Sequence, residues 1–240
     1  MPNPYIARTT APGAYAMPEN SGNTSPARLA SLDGVIMKTI MIFAVLLAGA
    51  ALGWSGAVPI YFVMPLAFAA LGIVWYSYGH QSVNAYTAFL YAGLEGTVIG
   101  IISALYEQSH PGIVNAAVIS TLFTAGIMFT LWRLNIIKVD SLFRRRLYNF
   151  MVAYLLVSMG NLFYSWVSGN GGLFAGQYGW IASLVGCGLA SFSLAADFQN
   201  IEEAIDQKMP EKAEWALSLG MIISIIWLYL EILRLLGRRK

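Results

Sequence analysis

The sequence predicts an all-α polytopic membrane protein, a bundle of seven transmembrane helices, and three observations predict it. Hydrophobic residues fill 58% of the 240 positions and charged residues only 11%, against about 25% charged in an ordinary soluble domain. The charges are also segregated: no Asp, Glu, Lys or Arg occurs from Thr39 to Leu94 or from Leu147 to Ala196. A water-soluble core cannot absorb runs of that length, because its loops must return to water. A bilayer can, when short polar turns join helices of about 20 apolar residues. Finally, the apolar runs are continuous, whereas barrel strands would alternate apolar and polar residues over about ten positions. In lipid a helix satisfies its backbone groups within the segment.

Residues 1–33 differ from the rest of the chain. Pro2, Pro4, Pro12, Pro18 and Pro26 lie here among Asn, Ser, Thr and Gly. Such a stretch buries too little apolar surface to offset its ordering entropy, so a disordered tail is expected. It lacks the short basic start and apolar core of a signal peptide. The spans then read Gly34–Trp54, Val58–Tyr76, Val83–Leu105, Ile113–Trp132, Leu147–Val167, Tyr178–Ala196 and Trp215–Leu236. Turn chemistry falls between them at Ser55-Gly56, Tyr78–Ser82, His110-Pro111-Gly112 and Ser168–Gly172. Residues 34–236 thus make the membrane domain, and 237–240 a basic C-terminal tail. Gly49/Gly53 in the first span and Gly96/Gly100 in the third are spaced to let helix backbones approach closely inside the bundle.

Lys and Arg placement orients the chain. With the N-terminus in the cytoplasm, Arg8, Arg28, Lys38, Arg133, Lys138, Arg144, Arg145, Arg146, Lys208 and Lys212 all fall inside. Arg234, Arg238, Arg239 and Lys240 then fall outside, unless the last segment is re-entrant and returns. Seven full crossings are the expectation, because Trp215–Leu236 is long enough to cross.

Several function classes find no support. A net charge of +2 suggests no nucleic-acid partner. The lone Cys187 can form no intrachain disulfide and reads as a small buried hydrophobe. Two histidines, His80 and His110, both in expected turns, exclude a His-rich metal site. With no nucleophile elbow or phosphate loop, the expectation is a non-enzyme without cofactor or resident metal.

Candidate chemistry therefore rests on ionisable residues in or beside the spans, which are functional candidates by default. Lys38, near the inner end of the first span, reads as snorkelling to the headgroups. Glu95 lies mid-way along the third span, where its carboxyl group must be neutral, paired or beside water. Asp197 follows the apolar run Trp180–Ala196 without a spacer, at the inner boundary. Phe198, Ile201 and Ile205 keep helical spacing beyond it, so the sixth helix should continue amphipathically. Glu231 has Arg234 three residues on, on the same face, as a natural partner.

These residues resemble a known family. Tyr91–Gly100, with Glu95-Gly96 and Gly100, is similar to the third-span signature of the Bax inhibitor-1/YccA family. Ser120-Thr121-Leu122-Phe123 resembles its fourth-span counterpart, and Leu194–Glu202 the acidic motif closing its sixth span. The ending from Glu214-Trp215 to Trp227–Leu236 resembles the bacterial branch. The resemblance covers roughly residues 34 to 236. It implies a central last helix wrapped by the other six. It also implies a pH-sensitive calcium leak in which acids on the sixth and seventh helices sense protons. The first acid carries over to Asp197. The second falls on Glu231 by the Leu-Tyr-Leu-acid pattern, or near Ser224 when the helix is matched from Glu214-Trp215. Spans two and three hold no Arg or Lys to match the family's latching cation.

The expectation is a proton-gated cation (Ca²⁺) leak in the cytoplasmic membrane, with Asp197 as principal sensor and Glu95 or Glu231 as partner. Two carboxylates close together in low dielectric cannot both ionise cheaply, so one keeps a proton. Glu202, Glu203 and Asp206 beside Asp197 could concentrate Ca²⁺, which prefers carboxylate oxygens. The alternative is a non-conducting regulator that binds other membrane proteins in stress or quality control, through the basic loop Arg144–Arg146 and the acidic 197–214 connection. Lipid is the one partner common to both, and the oligomeric state is open.

Overall fold

A computed structural model describes residues 28–169, 176 and 179–238. Most of the expected N-terminal tail, the centre of the Ser168–Gly172 turn and the last two residues of the basic tail lie outside the described residues.

Seven α-helices follow one another: α1 (Leu32–Trp54), α2 (Val63–Gly79), α3 (Ala85–Ser109), α4 (Ile113–Arg133), α5 (Ser141–Ser168), α6 (Gly179–Asp206) and α7 (Ala213–Gly237). All seven are long and apolar enough to cross a membrane, α2 together with the 3-10 turn Ile60–Phe62 ahead of it. The only extended pairing among the described residues is one isolated antiparallel bridge, Leu29 with Pro210. Large apolar side chains face outward along the helices, among them Trp75 (80% exposed), Phe123 (70%) and Phe163 (66%). Water would make such a surface an aggregation site, whereas lipid solvates it.

The helix ends show why the boundaries fall where they do. Ser31 caps α1, accepting from the Gly34 N–H at 3.0 Å. Asn84 caps α3: the Thr87 N–H donates to its side chain at 3.1 Å, and Thr87 Oγ1 accepts its N–H in return. Asp140 caps α5 through the Phe143 N–H at 2.7 Å. That cap starts α5 well ahead of Leu147, so Arg144, Arg145 and Arg146 lie on a helix rather than in the expected basic loop. The sixth helix does run past Asp197, to Asp206, with Ile201 and Ala204 buried and Glu202 and Asp206 exposed. At 25 residues α7 is unbroken. At 1.5 Å per residue it rises about 37 Å, enough to cross and with no break to turn a re-entrant segment back. No residue from Ala213 to Arg238 falls in the exposed class.

The chain divides into two compact units, and α6 and α7 contribute to both. One contains α1, α2, α3 and Asp197–Ile223. Within it α1 and α3 run parallel and nearly touch. A Cβ on Gly49 would sit 2.6 Å from the Gly93 carbonyl oxygen, and one on Gly96 or Gly100 would strike the carbonyl of Leu46 or Ala50. The two glycine pairs thus face each other's helix within the chain. Ordered chain also reaches back into the expected tail. The Ala30 N–H donates to the Met209 carbonyl at 2.7 Å and the Glu211 N–H to the Arg28 carbonyl at 2.9 Å. Ala30 packs with Ala204, Met209 and Ala213.

The other unit contains His110–Ala196 and Ser224–Lys240. Its core joins α4, α5 and α6 through Met128, Leu147, Ala195 and Ala196, with Val139 from the connection ahead of α5. Phe143 meets Phe192 edge-on at 5.7 Å.

Candidate functional site

Three groups of ionisable side chains lie between the helices. The first surrounds Asp197, half-buried on α6. Its carboxylate lies 3.8 Å from where a Cβ on Gly220 of α7 would be. The Tyr78 hydroxyl lies 3.6 Å from the same point and donates to the Ala216 carbonyl at 3.0 Å. Gly220 thereby leaves a small space into which an acid of α6 and a phenol of α2 both point. Tyr91 on α3, 5% exposed, lies within electrostatic range of both Tyr78 and Glu95. Glu95 stands one turn further along α3 and is half-buried. Asp197 and Glu95 belong to the same unit.

The second group surrounds Glu231, 3% exposed on α7. Tyr154 of α5 donates its hydroxyl to one carboxylate oxygen at 2.8 Å, and Trp227 its indole N–H at 3.3 Å. Arg234 reaches both oxygens, at 3.1 and 3.2 Å. A Cβ on Gly186 of α6 would sit 2.6 Å from the Glu231 carboxyl carbon and from the Tyr154 hydroxyl, so only glycine leaves room for them. The i,i+3 partner foreseen from the sequence is the one Glu231 takes. Ser224, the other candidate position, has its hydroxyl 2.9 Å from that of Ser193 on α6. Two hydroxyls meet there in place of carboxylates.

The third group was not foreseen. Lys38 does not snorkel to headgroups: its Nζ lies 2.5 Å from Glu214 Oε2 and 3.4 Å from Glu211 Oε1, and 5.3 Å from the centre of the Trp215 ring. The Lys38 and Glu214 side chains are only 12% and 2% exposed. Ser31 donates its N–H and its hydroxyl to the other Glu214 oxygen, at 2.7 and 3.2 Å. A side chain on Gly34 would collide with this carboxylate. The signal existed in the sequence: Lys38 and Glu214 are single opposite charges at the ends of the first and last apolar runs. Nothing in the sequence placed those ends side by side.

The remaining acids of the α6–α7 connection lie on the helix surface. Glu202 and Asp206 are exposed, and Gln199 donates to Glu203 at 3.4 Å. Among the described residues no group of three His, Cys, Asp or Glu is placed to hold a metal ion. Cys187 is a free, half-buried thiol.

The family model described as Bax inhibitor 1 like matches residues 3–239. The chain belongs to the Bax inhibitor-1 family. No curated protein matches it at a significant level. Bax inhibitor-1 membership agrees with the seven spans and with the resemblance of Glu95-Gly96, Asp197 and the closing helix. It makes the protein a multi-pass membrane protein whose surroundings are lipid. The expectation of an acid on each of the last two helices meets this chain unevenly. Asp197 keeps its acid, whereas the two positions proposed for the second acid hold an ion-paired Glu231 and a hydroxyl at Ser224.

Proposed function

We propose that this Bax inhibitor-1 family member is a pH-sensitive cation leak, with Ca²⁺ as the permeant ion, gated by the protonation of Asp197. On this reading the protein resides in the cytoplasmic membrane with its N-terminus inside, and its role is passage of ions rather than catalysis, with no cofactor. The observation that carries this is the polar space at Gly220, where the Asp197 carboxylate and the Tyr78 hydroxyl approach one point. A carboxylate held between helices must keep a proton, find a donor or attract a cation, and each choice alters what the helices beside it can tolerate. Glu95 is its partner, reached through Tyr91. Glu231 is the weaker candidate, because Tyr154, Trp227 and Arg234 already engage its oxygens.

The test is Ca²⁺ entry into proteoliposomes over a pH series spanning neutrality. Wild type should pass Ca²⁺ at a pH-dependent rate. Asp197→Asn should flatten that dependence, and Glu95→Gln should displace it. An Asp197→Asn profile that overlays wild type removes the sensor. Absence of any cation flux from folded wild-type protein would instead favour the regulator that binds other membrane proteins.

A further inference from the structure

We infer that the cleft between α4, α6 and α7 is a binding site for one acyl chain of an anionic phospholipid, with its phosphate held at Arg238. The cleft has a volume of about 720 Å³, inside the range of roughly 300–1,000 Å³ typical of small-molecule sites. It lies wholly within the unit formed by His110–Ala196 and Ser224–Lys240.

Its two ends differ in chemistry. Trp180, the second residue of α6, and Arg238, directly after α7, line one end. An indole and a guanidinium together at a helix terminus are the side chains that settle at headgroup level. Thr124, Ser191 and Leu228, near the middles of their helices, line the other end. From Leu228 to Arg238 an α-helix rises about 15 Å. That is half of a hydrocarbon core of about 30 Å, so the cleft has the depth of a single leaflet. Leu184, Leu228, Ile232 and Leu235 supply apolar wall along it. Ser191 spends its hydroxyl on the Cys187 carbonyl of its own helix, at 2.7 Å, and so offers no free donor to a ligand there.

An occupant must therefore be apolar over one leaflet and anionic at the headgroup. Arginine suits a phosphate because its planar fork gives two parallel N–H donors to one anion. A membrane phospholipid with a net negative charge meets both demands. Phosphatidylcholine carries the same chains and phosphate with a cancelling choline, which makes it the control. The cleft shares no residue with the group at Asp197, and neither proposal needs the other.

The experiment uses the full chain in nanodiscs with phosphatidylglycerol carrying a photoreactive group along one acyl chain. Crosslinks should map to Leu184, Cys187, Leu228 and Ile232. Unlabelled phosphatidylglycerol should compete for them about tenfold better than phosphatidylcholine, the scale of one charge-assisted contact. Arg238→Gln, with an unfolding midpoint measured alongside to confirm that it folds, should erase that preference. Cys187 gives a second readout as the chain's single cysteine: alkylation by a lipophilic maleimide should be slower in phosphatidylglycerol than in phosphatidylcholine, and Arg238→Gln should remove the difference. Equal competition by the two lipids, an unchanged preference in Arg238→Gln, or crosslinks that miss the cleft would each overturn the assignment.

Discussion

Replacing Lys38 with Met should be among the most damaging single changes outside the apolar core, and the magnitude follows from its surroundings. Glu214 is 2% exposed and has three donors: Lys38 Nζ at 2.5 Å and the Ser31 N–H and hydroxyl at 2.7 and 3.2 Å. Met keeps the length and packing of the lysine stem but removes the only charged donor. A buried anion left with neutral donors costs about 3–5 kcal/mol, or two to four powers of ten in the unfolding constant at about 1.4 kcal/mol per decade. Glu214→Gln should cost less, about 1–3 kcal/mol, because Lys38 keeps the Glu211 carboxylate at 3.4 Å and the Glu211 carbonyl at 3.5 Å. The double variant, with neither charge, should be more stable than Lys38→Met alone by roughly 1 kcal/mol or more. Reversible unfolding in mixed micelles, followed by tryptophan fluorescence, measures all three. A Lys38→Met variant within about 0.5 kcal/mol of wild type would show that the pair does not hold the fold. A double variant no better than the single would show that lost packing, rather than an unpaired charge, is responsible.

Two further outcomes rest on the packing. Gly100→Val should cost about 1–3 kcal/mol by forcing α1 and α3 apart, since a Cβ there meets the Ala50 backbone. Gly72→Ala, with open space around it, should be neutral or stabilising in the same unfolding assay. Arg234→Gln should destabilise the protein by about 1–3 kcal/mol, and by more than Glu231→Gln does, because only the former strands a buried charge. Its value should fall short of the Lys38 case, since the Arg234 side chain is 40% exposed and already partly screened. Comparison of their unfolding midpoints decides the order.

The glycine pairs show how local pattern and packing can coincide. Gly49, Gly53, Gly96 and Gly100 were legible as close-approach positions because four-residue spacing on a helix defines a face whatever lies opposite. Glu231 was likewise legible as the partner of Arg234, since three residues along a helix fix the distance between them. The Lys38–Glu214 pair was not, because its members are separated by 176 positions and no periodicity joins them. The polar space at Gly220 was hidden for the same reason. It needs an acid from α6 and a phenol from α2 brought to one point beside α7, and each of these alone is unremarkable in sequence.

What the sequence determined by itself was the solvent and the number of crossings. Long charge-free runs leave lipid as the only phase that accepts them, and hydrogen bonding within the segment then leaves only helices. Tertiary structure alone decided which buried charge meets which, and what Arg28–Ala30 pairs with. Arg28 and Ala30 are held by backbone bonds to Glu211 and Met209, and the buried Glu214 is met by Lys38 and by two donors of Ser31. Burial of a charge is settled by its neighbour in space, and a linear pattern names the charge without naming that neighbour.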